Sequence, residues 1–237
     1  AIVTGAARGI GLATTDLFLA EGRRVVMVDR DADELASVAE PRTNVLPVTC
    51  DVSDPAAVAA MAEAALTDLG EIHALVNNAG VADFGPIDDC SFETWRRVMA
   101  TNLDGVFLCS QALAPALKAA KGAVVNIASI SGLRASTLRV AYGTSKAAVI
   151  HLTQQQAAEW GEHGVRVNCV CPGAVDTARM DDLVYTEAWD EMAQATPIGR
   201  NGTDEEVGNF VAYLCTKAAS WIHGQSINID GGDFMEH

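Results

Sequence analysis

Short apolar runs alternate with helical patterns along almost the whole chain. "AIVT" (1–4) precedes a helical pattern over 9–22, "RVVMVD" (24–29) one over 31–40, and "NVLPVTCD" (44–51) one over 54–70. "HALVNNAG" (73–80) leads into a helical stretch through 91–120, and "GAVVNIAS" (122–129) into a long helix near 141–161. "GVRVNCVCPG" (164–173) is followed by a variable segment to about 200, a helix near 203–217 and a last strand, "QSINID" (225–230). The strand-like runs are apolar at successive positions rather than alternate ones, as expected of strands covered on both faces. Repeated β-α-β order then predicts an α/β fold: a doubly wound parallel sheet (Rossmann fold) with helices on both faces. No repeat of solenoid period and no low-complexity linker divides the pattern, so residues 1–237 read as a single domain. Asp54 and Pro55 form a helix start, with Asp as N-cap and Pro at the first position. Pro115 is expected to kink the helix over 103–120.

Composition narrows the function classes. Hydrophobic residues make up 49%, a globular value that excludes disorder. With 16 Lys and Arg against 31 Asp and Glu, the net charge of −15 would repel phosphate backbones and anionic bilayers, so neither nucleic acid nor a membrane surface is an expected partner. No apolar run approaches the roughly 20 residues that span a bilayer. No signal peptide is visible, and the expected location is cytoplasmic. The chain opens inside an apolar run, "AIVTG", which suggests that further residues precede it. Six cysteines form no C-x-x-C motif, and Cys169 and Cys171, on one side of a strand, read as a buried pair of reduced thiols. The five histidines are scattered, and no catalytic metal site is expected.

The first chemical signal is "TGAARGIG" (4–11), between the first strand and the first helix. Gly5 permits the sharp turn, while Gly9 and Gly11 remove side chains where a pyrophosphate approaches and where helix meets strand. The helix N-terminus offers unpaired N–H groups to the phosphates. Gly5, Arg8, Gly9, Ile10 and Gly11 are therefore the expected phosphate-binding loop of a dinucleotide site. Asp29 ends the second strand, 18 residues after Gly11. Its carboxylate suits the adenosine ribose hydroxyls and repels a 2′-phosphate, which selects NAD over NADP. Arg30 beside it, and Arg8 in the loop, keep NADP as the lesser alternative.

"TGAARGIG", "NNAG" (77–80), "YGTSK" (142–146), "PG" (172–173) and "DGG" (230–232) occur in order and at matching spacing, and with them the whole chain resembles the short, single-domain branch of the short-chain dehydrogenase/reductase family. The resemblance implies a catalytic tetrad of Asn102, Ser129, Tyr142 and Lys146. It implies that Asp51 and Val52 flank the adenine, and that Asn78, Ala79 and Gly80 line the adenosine ribose, with Asn77 holding the central sheet. Val175 and Thr177 would contact the nicotinamide carboxamide. Where the family commonly has N-I-S-S, this chain has Asn126-Ile127-Ala128-Ser129, which keeps the second, catalytic serine. The resemblance also implies a homotetramer.

Alcohol oxidation removes a proton from oxygen and a hydride from carbon. With nicotinamide as hydride acceptor, the protein must supply binding, orientation and a proton acceptor. Tyr142 and Lys146 stand four residues apart and share a helix face. A free phenol, at a pKa of about 10, is a poor base at neutral pH, and a nearby ammonium is expected to lower that value. Lys146 would also reach the nicotinamide ribose, Ser129 would meet the substrate oxygen, and Asn102 would hold a water that links Lys146 to solvent. The expected substrate is a small secondary alcohol or ketone: a polyol, a sugar, a hydroxy acid or an acyl thioester. Segments 82–95, 130–141 and 174–200 should wall it, with about 176–200 as a lid. Met180, Leu183, Val184, Tyr185 and Trp189 have the spacing of an amphipathic helix there. Arg134 and Arg139 read as solvated loop charges, with a contact to an anionic substrate group as the alternative.

Overall fold

The computed structural model describes residues 1–176 and 187–235. Seven strands form one sheet: β1 (Ile2–Thr4), β2 (Val25–Asp29), β3 (Val45–Thr49), β4 (Ala74–Asn77), β5 (Ala123–Ile127), β6 (Arg166–Pro172) and, last in the chain, β9 (Ser226–Ile229). Their order is β3-β2-β1-β4-β5-β6-β9, and every pairing is parallel. The chain winds outward from β1 to β3, then crosses back to lay β4 on the other side of β1. That reversal opens a crevice beyond the carboxyl ends of β1 and β4, where ligands bind in open α/β sheets.

The strands are sealed on both faces, as their unbroken apolar runs require. Ile2, Val26, Leu75 and Val124 pack with Val58 and Met61 of α3 (Pro55–Leu69) and with Leu113 and Leu117 of α5 (Gly105–Ala120). Val3, Met27, Val76 and Val125 face the other way, onto Phe18 of α1 (Gly9–Ala20) and Val207, Val211 and Leu214 of α8 (Asp204–Leu214). The remaining helices are α2 (Ala32–Ala39), α4 (Phe92–Met99), α6 (Val140–Trp160) and α7 (Glu187–Ala195). Among the described residues, no helix is long and apolar enough to cross a membrane.

Local signals account for the helix starts. Asp54 caps α3 by accepting from the Ala56 N–H at 2.8 Å, with Pro55 at the first position. Thr203 and Glu206 make a reciprocal capping box at the start of α8. The stretch 91–120 is not one regular helix. α4 ends at Met99, a wide π-turn covers Ala100–Asp104, and α5 follows. Pro115, expected to kink this helix, lies inside α5, which continues through it to Ala120. A separate irregularity, the π-turn, falls around Asn102. A two-residue parallel ladder, β7 (Val175–Asp176) with β8 (Gly202–Thr203), has no counterpart in the sequence reading. It brackets most of the expected lid. Thr177, Met180, Leu183, Val184 and Tyr185 lie outside the described residues, as does the side chain of Trp189.

A buried polar network ties sheet to helix. Asn77 Nδ2 donates to Asn126 Oδ1 at 2.8 Å and to Ser110 Oγ at 3.0 Å. Asn126 Nδ2 donates to Thr153 Oγ1 and Gln156 Oε1, both at 2.9 Å. Together these bonds join β4, β5, α5 and α6. Replacing Asn126 with alanine removes three buried hydrogen bonds and leaves Gln156 Oε1 without its partner, so urea unfolding should report a loss of about 3 kcal/mol.

Candidate active site

A cavity of about 1220 Å³ lies beyond the carboxyl ends of β1, β2, β4, β5 and β6. Gly5, Arg8, Gly9 and Ile10 line one part of it, together with Asp29, Asp51 and Val52. Asn78, Ala79, Gly80, Ser129, Tyr142, Lys146 and Val175 line the rest. Two of the expected site residues stand behind the wall. Gly11 is buried: a Cβ there would come within 2.1 Å of the Gly5 carbonyl oxygen, so its part is the close approach of loop and helix. Asn102 is fully buried.

The glycine loop is clamped from β4. Thr4 Oγ1 accepts from the N–H groups of Asn78 and Ala79, each at 3.0 Å. Asn78 Nδ2 donates to the carbonyls of Thr4 and Gly5, also at 3.0 Å. The amide nitrogen of Asn78 is therefore spent on the loop. Asp29 Oδ2 accepts from the Ala7 N–H at 3.1 Å and Oδ1 from the Asp31 N–H at 3.2 Å, which orients the carboxylate and leaves acceptor sites on both oxygens. Arg8 is bonded to Glu34 and lies 3.5 Å from Asp31. Asp51 accepts from both the hydroxyl and the backbone N–H of Ser53, at 2.6 and 2.9 Å, and these bonds hold its carboxyl below the usual range.

At the other part of the cavity, Ser129 follows β5 and opens a short 3-10 turn, Ile130–Gly132. Its Oγ accepts from the Ser131 N–H at 3.1 Å. The turn rests directly on α6, because a Cβ on Gly132 would meet the Ala147 nitrogen at 2.7 Å. Tyr142 lies in the first turn of α6. Lys146 is only 4% exposed, its Nζ donates to the Ile127 carbonyl at 2.8 Å, and it lies 5.6 Å from the centre of the Tyr142 ring. Asn102 Oδ1 accepts from the Val81 N–H at 2.7 Å, and its Nδ2 donates to the Val81 carbonyl at 2.9 Å and to Ser145 Oγ at 3.0 Å. A Cβ on Gly80 would sit 3.4 Å from Asn102 Oδ1 and 3.5 Å from Lys146 Nζ, in ordinary contact with both, so Gly80 lies between these two side chains.

Sequence reasoning overlooked two features. Ser145, inside "YGTSK", donates to the Tyr142 carbonyl at 2.7 Å while accepting from Asn102; a hydroxyl placed immediately before the lysine was the available signal. Arg139 is not a free loop charge, since its guanidinium carbon lies 4.8 Å from the Phe84 ring centre and 6.0 Å from that of Tyr142. Arg134 is paired with Asp233 at 2.7 Å. Behind the site, Cys169 and Cys171 are buried free thiols; the hydrogen bond with Cys169, followed by burial, pushes the Cys171 thiol up. Among the described residues, no group of three or more side chains could hold a metal ion.

Residues 5–233 match the family described as enoyl-(acyl carrier protein) reductase. The chain is 38% identical over 233 residues to meso-2,3-butanediol dehydrogenase of Serratia marcescens, covering 98% of this chain and 92% of that one. It is 37% identical over 240 residues to 2-(S)-hydroxypropyl-CoM dehydrogenase 3 of Xanthobacter autotrophicus, covering 97% and 94%. A solved structure from Brucella melitensis, described as a short-chain dehydrogenase/reductase of the glucose/ribitol dehydrogenase type, superimposes with a TM-score of 0.94 at 32% identity, covering 99% of this chain and 96% of that one.

The contact between the serine turn and α6 is directly testable. Gly132→Ala forces a methyl group into backbone, and overpacking of this kind costs about 1–3 kcal/mol. A lowered thermal midpoint is the expected reading; an unchanged midpoint would show that the turn can move off the helix freely.

Proposed function

The chain belongs to the short-chain dehydrogenase/reductase family, and from that premise we propose that it is an oxidoreductase moving a hydride between NAD(H) and a secondary alcohol or ketone. The observation that carries this reading is the convergence of Ser129, Tyr142 and Lys146 on one cavity whose other part holds the glycine loop and Asp29. A dinucleotide fits these residues: the loop brings backbone close to the cavity, and Asp29 keeps acceptor sites for ribose hydroxyls. The relatives named above as dehydrogenases support chemistry on CH–OH groups. On this reading the whole chain is one dehydrogenase domain, with 176–200 as its lid and Thr177 beside the cofactor. The homotetramer rests on the family membership alone.

Bound nicotinamide would supply the hydride acceptor. Tyr142 takes the hydroxyl proton as the hydride leaves carbon, acting as general base in oxidation and general acid in reduction. Ser129 Oγ hydrogen-bonds the reacting oxygen and stabilises charge on it. Lys146 sets positive charge beside the tyrosine ring. The side-chain amide of Asn102 is committed to Val81 and Ser145, so the water relay expected of this residue runs through the backbone of the wide turn. A π-turn interrupts the regular helical ladder, which suits that role. Replacing Tyr142 with Phe removes the proton carrier and keeps the ring. Turnover should fall by about 10²–10⁴-fold, with NADH affinity nearly unchanged. Retained turnover would end the assignment; a chain that binds the nucleotide without ever turning it over would instead be a regulatory binding protein.

NAD is the favoured cofactor. Arg8, the loop cation that would welcome a 2′-phosphate, is held by Glu34 and Asp31, and the carboxylate of Asp29 stands at the same place. Asp29→Asn removes the repulsion, so the ratio of NADPH to NADH affinity should rise about tenfold or more. Fluorescence titration with both cofactors measures it. Tighter NADPH binding by the unaltered protein would favour the alternative, an NADPH-dependent ketone reductase.

A further inference from the structure

Near Tyr142, the cavity contains two cations that no carboxylate holds among the described residues, Lys146 and Arg139. Arg134 is taken by Asp233 at 2.7 Å. Lys146 is buried on the Ile127 carbonyl. Asp83, next to Phe84 in sequence, is taken by Arg97 at 3.6 Å. Arg139 lines the same cavity, and among the described residues its guanidinium pairs with ring faces alone, those of Phe84 and Tyr142. Ring faces attract the cation but use none of its five N–H donors.

Arg139 is also held in place. It is the N-cap residue of α6, its carbonyl accepts from the Gly143 N–H at 2.8 Å, and a backbone bridge joins it to Gly85. The Gly85 N–H donates to the Leu138 carbonyl at 3.0 Å, so the two loops walling the site meet at this residue. A half-buried guanidinium, fixed at its base, stacked on aromatic rings and with its donor fork unspent, has the form of a carboxylate receptor. In a chain of net charge −15, an anion would otherwise be repelled, so a local cation of this kind has a marked effect on selection.

We propose that Arg139 sets substrate specificity, and that the substrate is a short hydroxy acid whose carboxylate binds Arg139 while its carbinol oxygen meets Ser129 and Tyr142. This rests on the dehydrogenase reading and names its substrate class. The carbinol C–H breaks and passes to NAD⁺ as hydride with its electron pair, and the O–H proton goes to Tyr142. The carbon becomes a ketone, NAD⁺ becomes NADH, and the carboxylate is unchanged.

The test uses the Tyr142→Phe protein, which keeps the ring beside Arg139 and does not reduce the ketone. Its NADH complex is titrated with pyruvate, acetoacetate and levulinate, each against its methyl ester, following NADH fluorescence. At least one acid should bind about tenfold or more tightly than its ester, the scale of one charge-assisted contact. Adding Arg139→Gln should erase that difference, and adding Arg139→Lys should keep part of it. Equal or tighter binding of all three esters, with NADH bound normally, overturns the inference and leaves the dehydrogenase reading standing. An acid preference that survives Arg139→Gln does the same. Failure to bind NADH at all overturns both.

Discussion

The primary amide of Asn126 holds the working parts of this protein in register. It sits in the middle strand of the site, accepts from Asn77 on the neighbouring strand and donates to Thr153 and Gln156 on α6. Hydrophobic contact alone would let the helix slide or turn on the sheet, because apolar packing has little direction. Two directional bonds at buried positions, to Thr153 and Gln156, oppose that motion, since a slip would break both, and the bond to Asn77 ties the strand itself to its neighbour. The helix fixed in this way carries Tyr142 and Lys146, and the strand fixed in this way ends two residues before Ser129. The relative placement of the three is thus set several residues away from where they meet.

The nucleotide part of the cavity depends on a similar device. Thr4 and Asn78 exchange bonds across β1 and β4, at the point where the sheet reverses its winding. The glycine loop is therefore held by its neighbour strand, as well as by its own turn geometry. Charges line both parts of the cavity: Asp29, Asp31 and Asp51 with Arg8 and Arg30 at the loop end, and Lys146, Arg139 and the Arg134–Asp233 pair near Tyr142.

Much of this was legible in the sequence, for identifiable reasons. Val25, Val26, Met27 and Val28 are all buried, so β2 had to read as an unbroken apolar run. The Asp54-Pro55 helix start depends on residues adjacent in sequence, and it appeared where local chemistry placed it. The glycine loop was legible because its function demands missing side chains. What could not be read depends on distant partners. Arg134 and Arg139 are five residues apart in one loop, yet one meets Asp233 and the other two aromatic rings, a difference that only tertiary placement decides. Asn78 lines the cavity, and its side-chain nitrogen also fastens the loop, a second task that depends on β1 and β4 lying side by side. The wide turn at Asn102 escaped because its apolar periodicity resembles that of an ordinary helix.

The short ladder between β7 and β8 gives the chain a form of modularity. By fastening Val175–Asp176 to Gly202–Thr203, it closes the intervening stretch into a loop whose two ends are stapled side by side. The length and composition of that stretch can then vary without strain reaching β6 or α8, because closing a somewhat longer loop adds little entropy. Lineages, or protein engineers, could exchange it as a cassette, while the sheet and the helix that carries Tyr142 and Lys146 are inherited unchanged.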